Sequence, residues 1–62
     1  MTVNKEQALV ICNAILVSQL GKSLAAKWWY SRNRAFNKLT PEEQWKTSWQ
    51  TVYDYLMRIA LR

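Results

Sequence analysis

Four residues, Thr40-Pro41-Glu42-Glu43, constrain the fold of this chain more than any other stretch. Thr is a favoured N-cap, and Pro suits the first helical position, where its missing N–H is not needed. The two acids stand in the first turn, facing the positive end of the helix dipole. Glu43 lies three residues after Thr40, so the pair closes a capping box. A helix therefore starts at Pro41. Downstream, Trp45, Trp49, Val52, Leu56 and Ile59 recur at spacings of 4, 3, 4 and 3, which is a helical seam. The helix extends to about Ala60. It either runs unbroken or pauses at Thr47-Ser48, where Ser48 can recap a last helix.

A second helix pattern covers residues 4–20. Asn4 is a suitable N-cap, and Gln7 completes a capping box with it. Gly21, the only Gly of the chain, follows Leu20 and is placed to supply a left-handed C′ residue. Ala8, Ile11, Ile15 and Leu20 mark one face, and Leu9, Val10, Leu16 and Val17 widen it. A helix this apolar around its circumference is expected to be buried on more than one side, as a central helix or one shared with another subunit. Its β-branched residues also suit a strand, but the length of the pattern and its caps decide for helix.

Residues 23–30 read as a short helix capped by Ser23. Leu24 and Trp28, with either Ala25 or Trp29, form its inward face. Residues 31–40 are then the connector. Asn33 and Asn37 tolerate turn geometry, and Phe36, the one large apolar side chain in a polar segment, is expected to tuck back onto the core and pin the loop. The expected fold is a single all-α domain over residues 1–62, a small bundle of three to four short helices.

The chain has 62 residues, one Cys and no His. An intramolecular disulfide and a zinc site are thereby excluded as staples, leaving helix packing or self-association to stabilise a domain of marginal size. Half the residues are apolar, which favours a homo-oligomer. Cys12 lies in the run ALVICNAILV and reads as a buried small hydrophobe. Without His there is no His-based acid–base catalysis and no Ser-His-Asp set. Glu42 and Glu43 are explained by capping, and a single Gly leaves no phosphate-binding loop. We read the chain as non-enzymatic, with no metal and no cofactor. The interrupted run at 8–17 is too short for a membrane span and lacks a signal-cleavage pattern. A lone Cys fits a reducing compartment, so the expected location is cytoplasmic.

Nine Lys and Arg against four Asp and Glu give a net charge of +5. Such a balance favours acidic partners. The densest cations, Lys27, Arg32, Arg34 and Lys38, lie beside Trp28, Trp29 and Tyr30. Aromatics and cations together suit a protein interface, where Trp, Tyr and Arg carry much of the binding energy, or a nucleic-acid surface. Trp28 and Trp29 are neighbours and diverge by about 100° on a helix, so at least one of that pair should be partly exposed, with Tyr30 a further candidate.

The segment WWYSRNRAFNKLTPEEQWKTSWQTVYDYLMRI, residues 28–59, resembles the toxin-binding domain of the MbcA/ParS-type (Xre-associated) antitoxins. Trp28 or Trp29 matches that family's helix-end aromatic, Asn33 its loop Asn, Ala35-Phe36 its small–apolar pair, and Thr40-Pro41 its most recognisable dipeptide. Val52, Tyr55, Leu56 and Ile59 match the apolar positions of its last helix. The resemblance implies a short helix after Thr-Pro that is separate from the last one, hence a break near Ser48. The family's Gly-rich turn is replaced here by Asn37-Lys38. Only 27 residues precede Trp28, too few for the helix-turn-helix domain that such proteins carry, so DNA binding does not transfer. The implied function is a protein-binding module that neutralises or inhibits a protein target with an acidic face, as a stand-alone antitoxin or as a phage- or plasmid-encoded inhibitor of a host protein. The expected contacts are Trp29, Tyr30, Arg32, Asn33, Arg34, Phe36 and Lys38. A small basic nucleic-acid-binding protein is the alternative, and a membrane-surface helix over residues 8–20 ranks last because it lacks a basic face.

Overall fold

The computed structural model describes residues 3–60, and among these the chain is all-α. Helix α1 (Lys5–Leu20) is followed by α2 (Lys22–Trp28), a 3-10 turn (Arg34–Phe36) and α3 (Pro41–Ala60). Helix α1 packs against both others, and the 3-10 turn lies on α3. Among the described residues no helix is long and apolar enough to cross a membrane.

The expected helix starts form as their sequence dictates. At α1 the Gln7 N–H donates to Asn4 Oδ1 at 2.8 Å, and the Asn4 N–H donates to Gln7 Oε1 at 3.1 Å. At α3 the Glu43 N–H donates to Thr40 Oγ1 at 3.2 Å, while the Thr40 N–H donates to Glu43 Oε1 at 3.0 Å. Each box satisfies donors that the first turn of a helix leaves without internal partners. Helix α3 is interrupted at Ser48, whose backbone is extended at φ −153° and ψ 88°. Its hydroxyl meets Thr51 Oγ1 at 3.1 Å. The break lies where the Thr47-Ser48 pause was expected.

The junction of α1 and α2 departs from expectation. Gly21 adopts φ 86° and ψ 163°, an extended conformation at positive φ that is essentially restricted to glycine, and not the left-handed helical geometry of a usual C′ residue. A Cβ at this position would meet no atom within 4 Å, so the requirement for glycine is torsional and not steric. The Gly21 N–H donates to the Val17 carbonyl at 2.8 Å, and its own carbonyl accepts from the Ala25 N–H at 2.9 Å. One residue thus ends α1 and starts α2. Ser23 falls inside the first turn of α2 and does not cap it. The short helix also stops sooner than expected: Trp29 and Tyr30 belong to the following turn. The Tyr30 N–H donates back to the Lys27 carbonyl at 3.1 Å, and the Ser31 hydroxyl reaches the same carbonyl at 2.9 Å.

The core consists of Ala8, Cys12 and Leu16 from α1, Ala25 from α2, Phe36 from the 3-10 turn, and Trp45, Val52 and Leu56 from α3. Among the described residues no polar or charged side chain is buried with them. The seam on α3 follows the sequence period: Trp45, Val52 and Leu56 are buried, and Trp49 and Ile59 are half-buried. The face of α1 does not. Cys12 and Leu16 join Ala8 inside, Ile11 and Ile15 are half-buried, and Leu20 is exposed. Burial of α1 on more than one side is not realised within one chain. Val10 remains 70% exposed, because α2 and α3 pack on one side of α1, the side of Ala8, Cys12 and Leu16.

Around this core the aromatic rings form one connected series. Tyr55 meets Phe36 at 5.2 Å between centroids, and Phe36 meets Trp28 at 6.2 Å. Trp28 meets Trp29 at 5.2 Å, and Trp29 meets Trp45 at 5.5 Å. Trp49 and Tyr53 extend the series along α3. Most of these pairs are edge-to-face, the arrangement that the ring quadrupoles favour, and each is worth about 0.5–1.5 kcal/mol beyond the area it buries. Of the aromatic residues only Tyr30 stands outside, 70% exposed.

Candidate functional site

The expected contact residues fall into two groups, those that build the loop and those that it displays. Asn33 is a builder. Its side-chain oxygen accepts from the Ala35 N–H at 3.0 Å. Its N–H donates to the Leu39 carbonyl at 3.0 Å, and its own carbonyl accepts from Phe36 at 3.0 Å and Lys38 at 3.2 Å. The side chain and backbone of one residue thus close the whole segment. Phe36 is also a builder. It is 2% exposed, so it pins the loop as expected and shows little surface of its own. It packs between Trp28 and Tyr55, and its small exposed part borders a concavity between the 3-10 turn and α3.

The turn that aims the loop back toward α3 uses positive φ at two consecutive residues, Asn37 at 53° and Lys38 at 67°. Asn adopts this geometry readily, whereas for Lys it costs about 1–2 kcal/mol. The ring of interactions around Asn33 and the burial of Phe36 sustain it.

Arg32, Arg34 and Lys38 are displayed, all exposed. Among the described residues the only ion pair joins Lys46 and Glu42 at 3.6 Å, so the three loop cations have no carboxylate within salt-bridge distance. Glu43 has its pKa held below the ordinary 4.5, first by hydrogen bonds from the Thr40 backbone and side chain, with smaller contributions from the Arg32 and Lys46 charges.

Trp29 occupies a position between the two groups. It is half-buried. Its indole N–H donates to Asn13 Oδ1 at 2.8 Å, tying the turn after α2 to α1. Its carbonyl accepts from the Glu42 N–H at 3.1 Å, tying the same turn to α3. The exposed part of the ring forms one wall of a groove of about 320 Å³. Leu9 and Trp45 complete the apolar floor, and Asn13, Tyr30, Glu42 and Lys46 surround it. Sequence reading missed Asn13, Glu42 and Lys46 as groove residues. Asn13 stands 16 residues from Trp29, and no local signal joins the two. A second concavity of about 320 Å³ lies between the 3-10 turn and α3, bordered by Phe36, Thr51, Asp54, Tyr55 and Arg58.

The arrangement offers little for covalent chemistry. Cys12 is fully buried, and desolvation pushes its thiol up to about 11, so at neutral pH it is protonated and unreactive. Among the described residues no three of His, Cys, Asp and Glu stand close enough to hold a metal ion. What the geometry offers is an aromatic-walled groove that includes exposed Tyr30, and a separate display of exposed cations on the loop that follows Tyr30. No family model, no curated protein and no solved structure matches the chain.

Proposed function

We propose that this protein is a non-enzymatic binding module that neutralises or inhibits a protein target, acting as a stand-alone antitoxin or as a phage- or plasmid-encoded inhibitor. The observation that carries the reading is the apolar groove at Trp29 and Trp45, lined also by exposed Tyr30, in a chain whose next segment displays Arg32, Arg34 and Lys38 with no carboxylate of the described residues within salt-bridge distance. A buried apolar or aromatic anchor surrounded by charged contacts is the usual anatomy of a protein interface. An acidic target face would meet the loop cations, and Arg32 and Arg34 are suited to bidentate contact with carboxylates. A side chain from the target would fill the groove. The break at Ser48 and the left-handed turn at Asn37-Lys38 are compatible with the antitoxin resemblance of residues 28–59.

A nucleic-acid partner would use the same cations but would also need free ring faces for stacking. Trp28 and Trp29 are occupied by other rings, which leaves Tyr30. This supports the protein reading over the nucleic-acid one.

The test is affinity capture with matched variants. Trp29→Ala is a poor probe because Trp29 holds three helices together. Tyr30→Ala combined with Arg34→Ala removes two exposed groups and leaves the core intact. A target retained by the parent chain and lost by this variant, with unchanged circular dichroism, supports the reading. Retention of nucleic acid that falls steeply with salt, with no protein target, overturns it.

A further inference from the structure

The outer face of α1 carries a pattern that the single-chain fold leaves unused. Gln7, Val10, Ala14 and Val17 recur at spacings of 3, 4 and 3 along α1, the repeat of a helix-pairing seam. They lie on the side opposite Ala8, Cys12 and Leu16, which face the core. All four are exposed. Exposed Leu20 and Leu24 continue the apolar surface past the turn at Gly21. No charged residue occurs from Gln7 to Gly21, in a chain whose net charge is +5.

We infer that this face docks a second copy of the chain, α1 against α1 in antiparallel orientation. Three observations select that occupant. First, the seam is self-complementary. In antiparallel register Val10 of each copy lies over Ala14 of the other, large against small, and each Gln7 lies over a Val17. A two-fold axis generates both layers from one pairing, as a closed homodimer requires. Second, like-charged copies meet with least repulsion through the one surface that carries no charge. An acidic target would instead be drawn to the loop cations, and an anionic membrane would need a row of Lys or Arg along the helix beside its apolar face, whereas the charged residues of α1 are only Lys5 and Glu6, both in its first turn. Third, antiparallel pairing opposes the two helix dipoles.

The size of the contact sets its strength. The chain exposes 4811 Å², and a standard interface would take about 800 Å² from each partner, about a sixth of that surface. A helix of 16 residues is roughly 24 Å long, and a single seam along it covers less than the standard area. The dimer therefore belongs to the weak, concentration-dependent class. Its face adjoins the groove at Leu9 and Asn13 but leaves Trp29, Tyr30 and the basic loop free, so dimer and target can be bound together.

Sedimentation velocity over a dilution series tests this. The parent chain is expected to shift reversibly from monomer to dimer mass. Val10→Glu and, separately, Ala14→Glu place charges at the seam without touching the core, and each is expected to weaken association about a hundredfold or more with unchanged helical signal. Tyr30→Ala with Arg34→Ala is expected to dimerise as the parent does, so loss of target binding leaves this inference standing. A parent chain that stays monomeric at the highest soluble concentration overturns it, as does dimerisation unaffected by both Glu variants. A monomeric parent whose binding to phosphatidylserine vesicles, or whose capture of a target protein, is abolished by Val10→Glu would assign the face to that occupant instead.

Discussion

Replacement of Phe36 by Ala tests how the loop and the core are joined. Phe36 is 2% exposed, and it sits edge-on to Trp28, with rings at 85°, and to Tyr55, with rings at 72°. Truncating a buried Phe costs about 3–5 kcal/mol, through lost transfer energy and the cavity left behind. A chain of this length is stable by roughly 3–9 kcal/mol in all, so Phe36→Ala removes a large fraction of the total. Phe36→Leu preserves most of the apolar volume and loses chiefly the two edge-to-face pairs, about 1–3 kcal/mol together. Each kcal/mol lowers the melting temperature by about 4–8 °C in a domain of this size. The assay is thermal and urea unfolding followed by circular dichroism and by Trp fluorescence, since all four Trp belong to the ring series. The expected order is parent, then Leu, then Ala, with the Ala variant substantially unfolded near body temperature. An Ala variant melting within a degree or two of the parent would refute the reasoning, because Phe36 could then not join the loop to the core.

Further outcomes follow from the same contacts. Lys38→Gly relieves a non-glycine residue at positive φ and should stabilise the chain by up to about 1 kcal/mol in urea unfolding, the gain being reduced by the entropy of the more flexible unfolded chain. Thr40→Ala removes the cap of α3 and should cost about 1 kcal/mol. Glu43 has a lowered folded pKa, so its contribution is present in full above the ordinary 4.5 and is lost as the pH falls below that value. Acid unfolding curves of the parent should show this loss, and those of Glu43→Gln should show less of it. The Cys12 thiol should react with a thiol reagent only at the rate of unfolding. Because its folded pKa is raised, its contribution is complete below 9.0 and declines as the pH rises from there toward about 11; Cys12→Ala should flatten that part of the stability profile.

What the sequence makes legible here is local. The boxes at Asn4/Gln7 and Thr40/Glu43 are readable because each partner lies three residues from the other, and the rigid stereochemistry of a helix start admits few residue types. The break at Ser48 and the burial of Phe36 are likewise visible, one as a recapping residue and the other as a lone apolar side chain. The inner face of α1 is not, since apolar residues surround that helix and the period carries no phase; only packing against α2 and α3 selects Cys12 and Leu16 over Ile11 and Leu20. Gly21 is recognisable as a helix stop, but its shared use by α1 and α2 depends on both torsions. The groove is the least legible feature. It joins Leu9 and Asn13 to Trp29 and to Trp45 across three elements, and such contacts leave no mark in local spacing.

Binding of a protein through the groove and the exposed loop cations is the proposed activity. It is tested most directly by quantitative capture from the lysate of a cell that contains the target, in parallel with the parent chain, Tyr30→Ala/Arg34→Ala and Val10→Glu, followed by mass spectrometry and by measured affinity for whatever is retained. The account predicts one dominant protein with an acidic face, held by the parent and by Val10→Glu and lost with Tyr30→Ala/Arg34→Ala. Equal retention of that protein by all three chains would contradict it.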